Sequence, residues 1–196
     1  MAARDEDKLV SQLQQGDEHA FIELIQRHDA ALRRTARAFV STAASADEVV
    51  QDTWVSVLDG LASFEGRSSI KTWIFQILIN RARSLRAREA RTMPASAILD
   101  DQHGEGRSAV EPVLDERNIP NQQLLRKELA IALTQAVREL PERQRVVVVL
   151  RDALGWSPRE VCHALSVKEI NQRVLLHRAR TRLRASLSHY RHDRAA

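Results

Sequence analysis

One cysteine, Cys162, stands in a chain of 196 residues. An internal disulfide framework is therefore impossible, and so is a zinc cage built from cysteines alone. Aromatic residues make up 4% of the chain, with 6 glycines and 5 prolines. No stretch approaches the ~20 consecutive apolar residues of a membrane span. The first residues, "MAARDEDKLV", lack the apolar core of a signal sequence. These absences lead to the expectation of a soluble, cytoplasmic protein. The chain also has no glycine-rich phosphate loop, no nucleophile elbow, and no His/Asp/Glu set at metal-ligand spacing. A helical hydrolase would have to rely on His19, His28 or Asp29, so an enzyme is disfavoured and no metal or cofactor is expected.

The residues that are abundant are good helix formers. Leu, Ala, Arg, Glu and Gln dominate, 43% of the chain is apolar and 29% is charged. This composition predicts an all-α protein with real cores. The net charge is only +4, but it is unevenly spread. Residues 1–66 hold 6 Lys/Arg against 12 Asp/Glu, and residues 67–91 hold 7 against 1. Residues 92–116 hold 1 against 6, and residues 168–196 hold 8 against 2. Two basic blocks, one in each half and both on expected helices, are the pattern of contact with a polyanion.

Periodicity divides the chain into two small helical domains, 1–92 and 121–196, joined by an acidic linker at 93–120. Asp17 is placed to cap a helix through Phe21, Leu24, Ile25, Leu32 and Ala36. Ser45 with Glu48 has capping-box spacing and opens a second helix. Its apolar stripe is Val50, Trp54, Val57 and Leu61, while Glu48, Asp52 and Asp59 lie on another face with Gln51 beside them. "EGRSS" is a turn, and a third helix follows that is apolar at its start and arginine-rich at its end. The linker holds three prolines and two glycines and shows no helical period. Helical spacing resumes at Leu125, Leu129, Leu133 and Val137. "VVVV" at 146–149 suits a buried strand or a helix, and helix is preferred because no partner strand exists. Gly155 is placed as a C-cap.

The stretch "GWSPREVCHALSVKEINQRVLLHRARTRLR", 155–184, carries the clearest signal. Ser157, Pro158 and Glu160 mark a helix start three ways. A two-turn helix, a tight turn and a long second helix then give helix-turn-helix geometry. On the second helix Leu176, Ala179, Leu183 and Leu187 share one face, and Arg173, His177, Arg180 and Arg184 share another. The rival reading is an ordinary packed hairpin with a solvated basic face. Cys162 reads as a small core residue.

The whole chain, about residues 8–190, resembles the extracytoplasmic-function (ECF) sigma factors, the two-domain promoter-specificity subunits of bacterial RNA polymerase. "GDEHAFIELIQRH", "ADEVVQDTWVSVLDGLASFEGRSSIKTWIFQILINRARSLR", "LPERQRVVVVLRDALGWSPREV" and "NQRVLLHRARTRLR" follow that family's blocks in order and spacing. The resemblance implies that Glu48, Gln51, Asp52, Val55 and Asp59 dock on core polymerase. It implies that Phe64, Arg67, Ser68, Ser69, Lys71, Trp73, Asn80, Arg81, Arg83 and Ser84 handle the −10 non-template strand, with 64–69 cradling a flipped base and Asn80 at the pocket floor. It implies that Arg159, Lys168, Asn171, Gln172, Arg173, His177, Arg178, Arg180 and Arg184 contact the −35 duplex. An anti-sigma factor is the further partner it implies.

The sequence also departs from the family pattern. Ser84 and Ala87 stand where many members carry Asp and Arg. Asn171-Gln172-Arg173-Val174-Leu175 stands where many carry Thr-Val-Lys-Ser-Arg. The competing function is a free-standing helix-turn-helix regulator, which would need no pocket for a single strand.

Overall fold

The structure is a computed structural model and describes residues 3–92 and 120–188. The linker expected at 93–120 lies outside the described residues except for Pro120. All regular structure among the described residues is helical. The N-terminal half holds α1 (Ala3–Gln14), α2 (Glu18–Ala36), α3 (Ala43–Gly60) and α4 (Ile70–Thr92), with a short 3-10 turn at Leu61–Ser63. The C-terminal half holds α5 (Pro120–Arg138), α6 (Glu142–Val148), α7 (Pro158–Leu165) and α8 (Glu169–Ser186).

Local sequence sets most of these ends. The Asp17 carboxylate accepts from the His19 and Ala20 N–H groups at 2.9 and 3.2 Å and so caps α2. Helix α3 starts earlier than the Ser45–Glu48 pattern predicts. Its cap is Thr42, whose hydroxyl accepts from Ser45 N–H at 3.0 Å, while the Ser45 hydroxyl donates across to Glu89 on α4 at 3.0 Å. Helix α1 was not anticipated, although Leu9 and Leu13 sit one turn apart and are both buried.

The stripe expected on α3 is the one that packs: Val50, Trp54, Val57 and Leu61 are all buried. Leu24, Leu32, Ile74 and Leu78 lose all their exposed surface against it, each contributing about 1.5–3 kcal/mol. An ion pair fixes how α2 meets α3. Arg33 donates to Asp29 at 2.7 Å and also to Asp47, and the Trp54 indole N–H donates to the other Asp29 oxygen at 3.1 Å. Asp29 is thus committed to the fold.

His28 on α2 makes the fold pH-dependent. Burial, helped by the positive charges of Arg27 and Lys71, lowers its pKa from 6.5 to about 4. The unfolded chain therefore takes up a proton that the folded chain refuses between those values, and stability falls as pH drops from about 6.5 toward 4. The midpoint of urea unfolding is expected to fall through that window in the wild type and less steeply in His28→Gln. Equal slopes in the two proteins would remove His28 from the account.

In the C-terminal half the valine run is helical, as expected. Its end is not regular: α6 passes into a π-helical turn at Val149–Ala153. Leu154 N–H bonds Val149 O at 3.0 Å, Trp156 N–H reaches back to Leu150 O at 3.0 Å, and Gly155 turns the chain at φ +68°. This is the C-cap the glycine predicts. The stripe expected on α5 is only partly used: Val137 packs partly against the core, but Leu129 and Leu133 are 45% and 43% exposed.

The two halves touch through α4 and α7. Trp156, 2% exposed, meets the Phe75 ring edge-on at 4.7 Å. The Lys71 ammonium lies 4.4 Å from the centre of the Trp156 ring and 2.5 Å from a Glu160 oxygen. The Gln76 amide donates to His163 O at 2.8 Å, and Arg86 pairs with Glu142.

Candidate nucleic-acid interface

The loop between α3 and α4 is built by packing from below and by α1 from the side. Phe64 is half-buried, its ring centre 5.0 Å from that of Trp73. Trp73 in turn lies over Gly60, where an added Cβ would come within 3.0 Å of the indole. Any larger residue there would push the ring aside by a few tenths of an ångström. Ser69 accepts from Thr72 N–H at 3.2 Å and so caps the start of α4. Gln14 donates to Phe64 O at 3.0 Å, and the Glu6 carboxylate accepts from Ile70 N–H at 2.8 Å. Both supports come from the unanticipated α1. The Leu9/Leu13 spacing was the available signal for them.

Trp73, Asn80 and Ser84 share one face of α4 by helical period. Trp73 is half-buried, while Asn80 and Ser84 are exposed. Arg67 is exposed and pairs with Glu65, and Ser68 is half-buried. Arg81 donates to the Ser56 hydroxyl on α3 at 2.9 Å, and Arg83 lies 5.9 Å from the Phe39 ring centre. Lys71 is turned to the other side, in the contact with α7. Trp73, Asn80 and Ser84 thus share one face of α4, with Arg81 and Arg83 on its two flanks and Lys71 on the opposite side.

On α3, Glu48, Gln51, Asp52, Val55 and Asp59 are all exposed, with Val55 at 59% and Leu58 beside it at 53%. Glu48 sits 3.9 Å from Arg88. Asp52, Arg81 and Ser84 line one shallow groove between α3 and α4. The acidic stripe and the −10 surface therefore adjoin.

In the C-terminal half Ser157 and Glu160 make a full capping box at the start of α7. Burial pushes the Glu160 carboxyl upward. Hydrogen bonds from Lys71 and from Ser157, with the Lys71 charge, outweigh that and hold it below the usual carboxylate range. Ser166 closes α7 in the left-handed region at φ +54°, the tight turn of a helix-turn-helix. Leu176 and Ala179 of α8 are buried.

Asn171, Arg173, His177, Arg178 and Arg184 are exposed on α8, and Lys168 and Arg159 are exposed near its start. Arg173 pairs with Glu169 one turn before it at 2.5 Å. Arg180 donates from Nε and Nη2 to the two Asp152 oxygens, at 3.0 and 2.6 Å. The π-turn carries that aspartate.

Gln172 requires a correction. It was expected at a base edge, but it is 1% exposed and points into the core with its amide nitrogen unpartnered among the described residues. The period of α8 places it with Leu176 and Ala179, so it cannot reach DNA without leaving the fold. Leu175, the departure from the family's arginine, packs partly against the same core. Cys162 is half-buried, and burial together with Glu169 raises its thiol pKa. No three His, Cys, Asp or Glu side chains gather as a metal cage would need among the described residues.

Comparison with known proteins decides between the two readings of this geometry. The Sigma-70 region 2 family matches residues 24–92, and the Sigma-70, region 4 family matches residues 130–183. The ECF RNA polymerase sigma factor SigM of Mycobacterium tuberculosis (strain ATCC 25618 / H37Rv) is 31% identical over 180 residues, covering 92% of this chain and 83% of SigM. The chain belongs to the ECF RNA polymerase sigma factors. A second relative, RNA polymerase sigma factor NccH of Alcaligenes xylosoxydans xylosoxydans, is 33% identical over 93% of this sigma factor and 94% of NccH. Among solved structures, CnrH in complex with the cytosolic domain of CnrY aligns over 93% of this chain and 97% of CnrH, with a TM-score of 0.65 and 27% identity. The sigma factor RpoE of Bartonella quintana, solved with the anti-sigma factor NepR, shares the fold at a TM-score of 0.66 and 24% identity. A sigma factor confers promoter recognition on RNA polymerase and begins transcription with it. A free-standing helix-turn-helix regulator would account for the region 4 match alone and leave the region 2 match unexplained.

Proposed function

We propose that this sigma factor works through three surfaces. The acidic stripe of α3, Glu48, Gln51, Asp52, Val55 and Asp59, docks on core polymerase. The 64–69 loop and the Trp73–Asn80–Ser84 face of α4 hold the −10 non-template strand, with Arg81 and Arg83 beside its backbone. Helix α8 reads the −35 duplex through Asn171, Arg173, His177 and Arg178, with Lys168, Arg159 and Arg184 on phosphates. One observation supports this most: the two basic surfaces fall one on each matched sigma-70 region. The chemistry belongs to the polymerase, and the sigma factor supplies recognition.

The contact between the halves has to open for this. Positions −35 and −10 lie 25 base pairs apart by name, about 85 Å of straight duplex, yet α7 rests on α4. The 27 residues from 93 to 119 can span at most about 97 Å when fully drawn out, enough for separation. Lys71 joins the −10 surface only after it leaves Glu160.

We place the protein in the cytoplasm, with polymerase and chromosome. Among the described residues no helix is long and apolar enough to cross a membrane. An anti-sigma factor is proposed as its regulator, since the relative CnrH was solved with a bound partner domain.

In-vitro transcription with bacterial core polymerase on a promoter library tests the function and returns the −35 and −10 preferences together. No transcript above core polymerase alone would overturn it. Asn80→Ala is expected to lower open-complex formation, read by permanganate reactivity of the melted strand, while −35 protection stays near wild type. Equal loss of both would remove Asn80 from the strand pocket.

A further inference from the structure

Two apolar side chains occupy the crest of α8, where a merely solvated helix would carry polar ones. Gln172, Leu176, Ala179 and Leu183 face the core. At about 100° per residue, the line opposite that face runs between Ile170 and Val174, one turn apart. Ile170 is 77% exposed and Val174 40% exposed. Arg173 and His177 flank them on one side, Asn171 and Arg178 on the other. Val174 stands where many family members have serine, so the departure exchanges a polar group at the crest for an apolar one.

The surroundings identify what this crest meets. Two of its four flanking residues are arginines, Arg173 (paired with Glu169) and Arg178, and residues 168–196 hold 8 Lys/Arg against 2 Asp/Glu, so the occupant is anionic and carries small apolar features. The floor of the DNA major groove meets both conditions. The groove admits one helix, the first turns of a recognition helix reach the base edges, and the apolar group displayed there is the thymine C5-methyl. Seated in the groove, the crest of α8 goes deepest while the flanking arginines meet guanine edges and phosphates at its sides. We infer that Ile170 and Val174 read thymine methyl groups in the −35 element and so set which base pairs this sigma factor accepts there. This rests on the reading of α8 as the −35 helix.

The test uses the holoenzyme and the −35 element recovered from the promoter library. Each −35 thymine is replaced in turn by deoxyuridine, which removes the methyl and leaves every hydrogen bond. For each contacted methyl, wild-type affinity is expected to fall about fourfold, the factor that ~0.8 kcal/mol for a buried methyl group gives. Ile170→Ala and Val174→Ala should bind the thymine promoter more weakly by a similar factor and become indifferent to deoxyuridine at one position each. Both sites are exposed, so unchanged helicity and melting will show the variants folded. Wild-type indifference to every deoxyuridine, or variants as sensitive as wild type, overturns the inference while −35 protection persists. Loss of −35 protection in the wild type itself overturns the underlying reading too. A change in self-association or protein binding without any deoxyuridine effect assigns the crest to a protein and also overturns it.

Discussion

Asp52→Arg is expected to release the sigma factor from core polymerase. Asp52 is exposed on α3, one turn after Glu48 and one residue from Gln51. The stripe that anchors α3, from Val50 to Leu61, lies buried behind it, so the reversal leaves the core alone. Its effect on stability should stay within about 0.5 kcal/mol. At an interface with a basic surface the outcome is different. The substitution removes an attraction and installs a repulsion, which costs about 2–5 kcal/mol at a close charge pair, so binding weakens at least about thirtyfold. A tagged variant should fail to retain core polymerase at concentrations where the wild type retains it. Because Asp52 shares a groove with Arg81 and Arg88, a new cation would also crowd those two. Asp52→Ala separates the effects: it lacks the repulsion and should lose only part of the retention. Wild-type retention by both variants would move the docking surface off α3.

Much of this architecture was legible because helices declare themselves through spacing. The Val50–Leu61 stripe, the Asp17 cap, the Gly155 C-cap and the capping box at Ser157 are short-range features, and each stands where its residues place it. What stayed hidden depends on distant partners or on small geometric choices. Thr42 and Ser45 are both capable caps, and the Glu89 contact across α4 draws Ser45 into the helix instead. The π-turn at 149–153 has no compositional mark, yet it carries the Asp152 that occupies Arg180. Gln172 looked like a base reader because its chemistry suits adenine. Its burial follows from its angle to Leu176 and Ala179, which the sequence does show once the helix start is fixed. The meeting of Phe75 with Trp156, more than eighty positions apart in the chain, leaves no local trace.

Trp156→Ala is expected to cost about 3–5 kcal/mol of stability, a large share of the 5–15 kcal/mol typical of a folded chain. Its indole fills the space between the halves, against Phe75 on one side and under the Lys71 ammonium. Removing it takes away the buried ring, an edge-on aromatic pair and a cation–π contact together. Urea unfolding will read the loss, and small-angle scattering will show the halves drawing apart. Lys71, no longer held over the ring, should then strengthen binding of a −10 single strand. A cavity in the C-terminal core would also destabilise, so a gentler variant is needed. Glu160→Gln keeps an acceptor for the Ser157 N–H, and hence the cap, but discards the charge paired with Lys71. That pair is about one-third exposed on both sides and contributes at most about 1 kcal/mol, so stability should hardly move. If the contact between the halves restrains Lys71, Glu160→Gln will still raise strand affinity. If neither variant changes the scattering or the strand affinity, the halves do not restrain each other and α4 is ready for DNA as it stands.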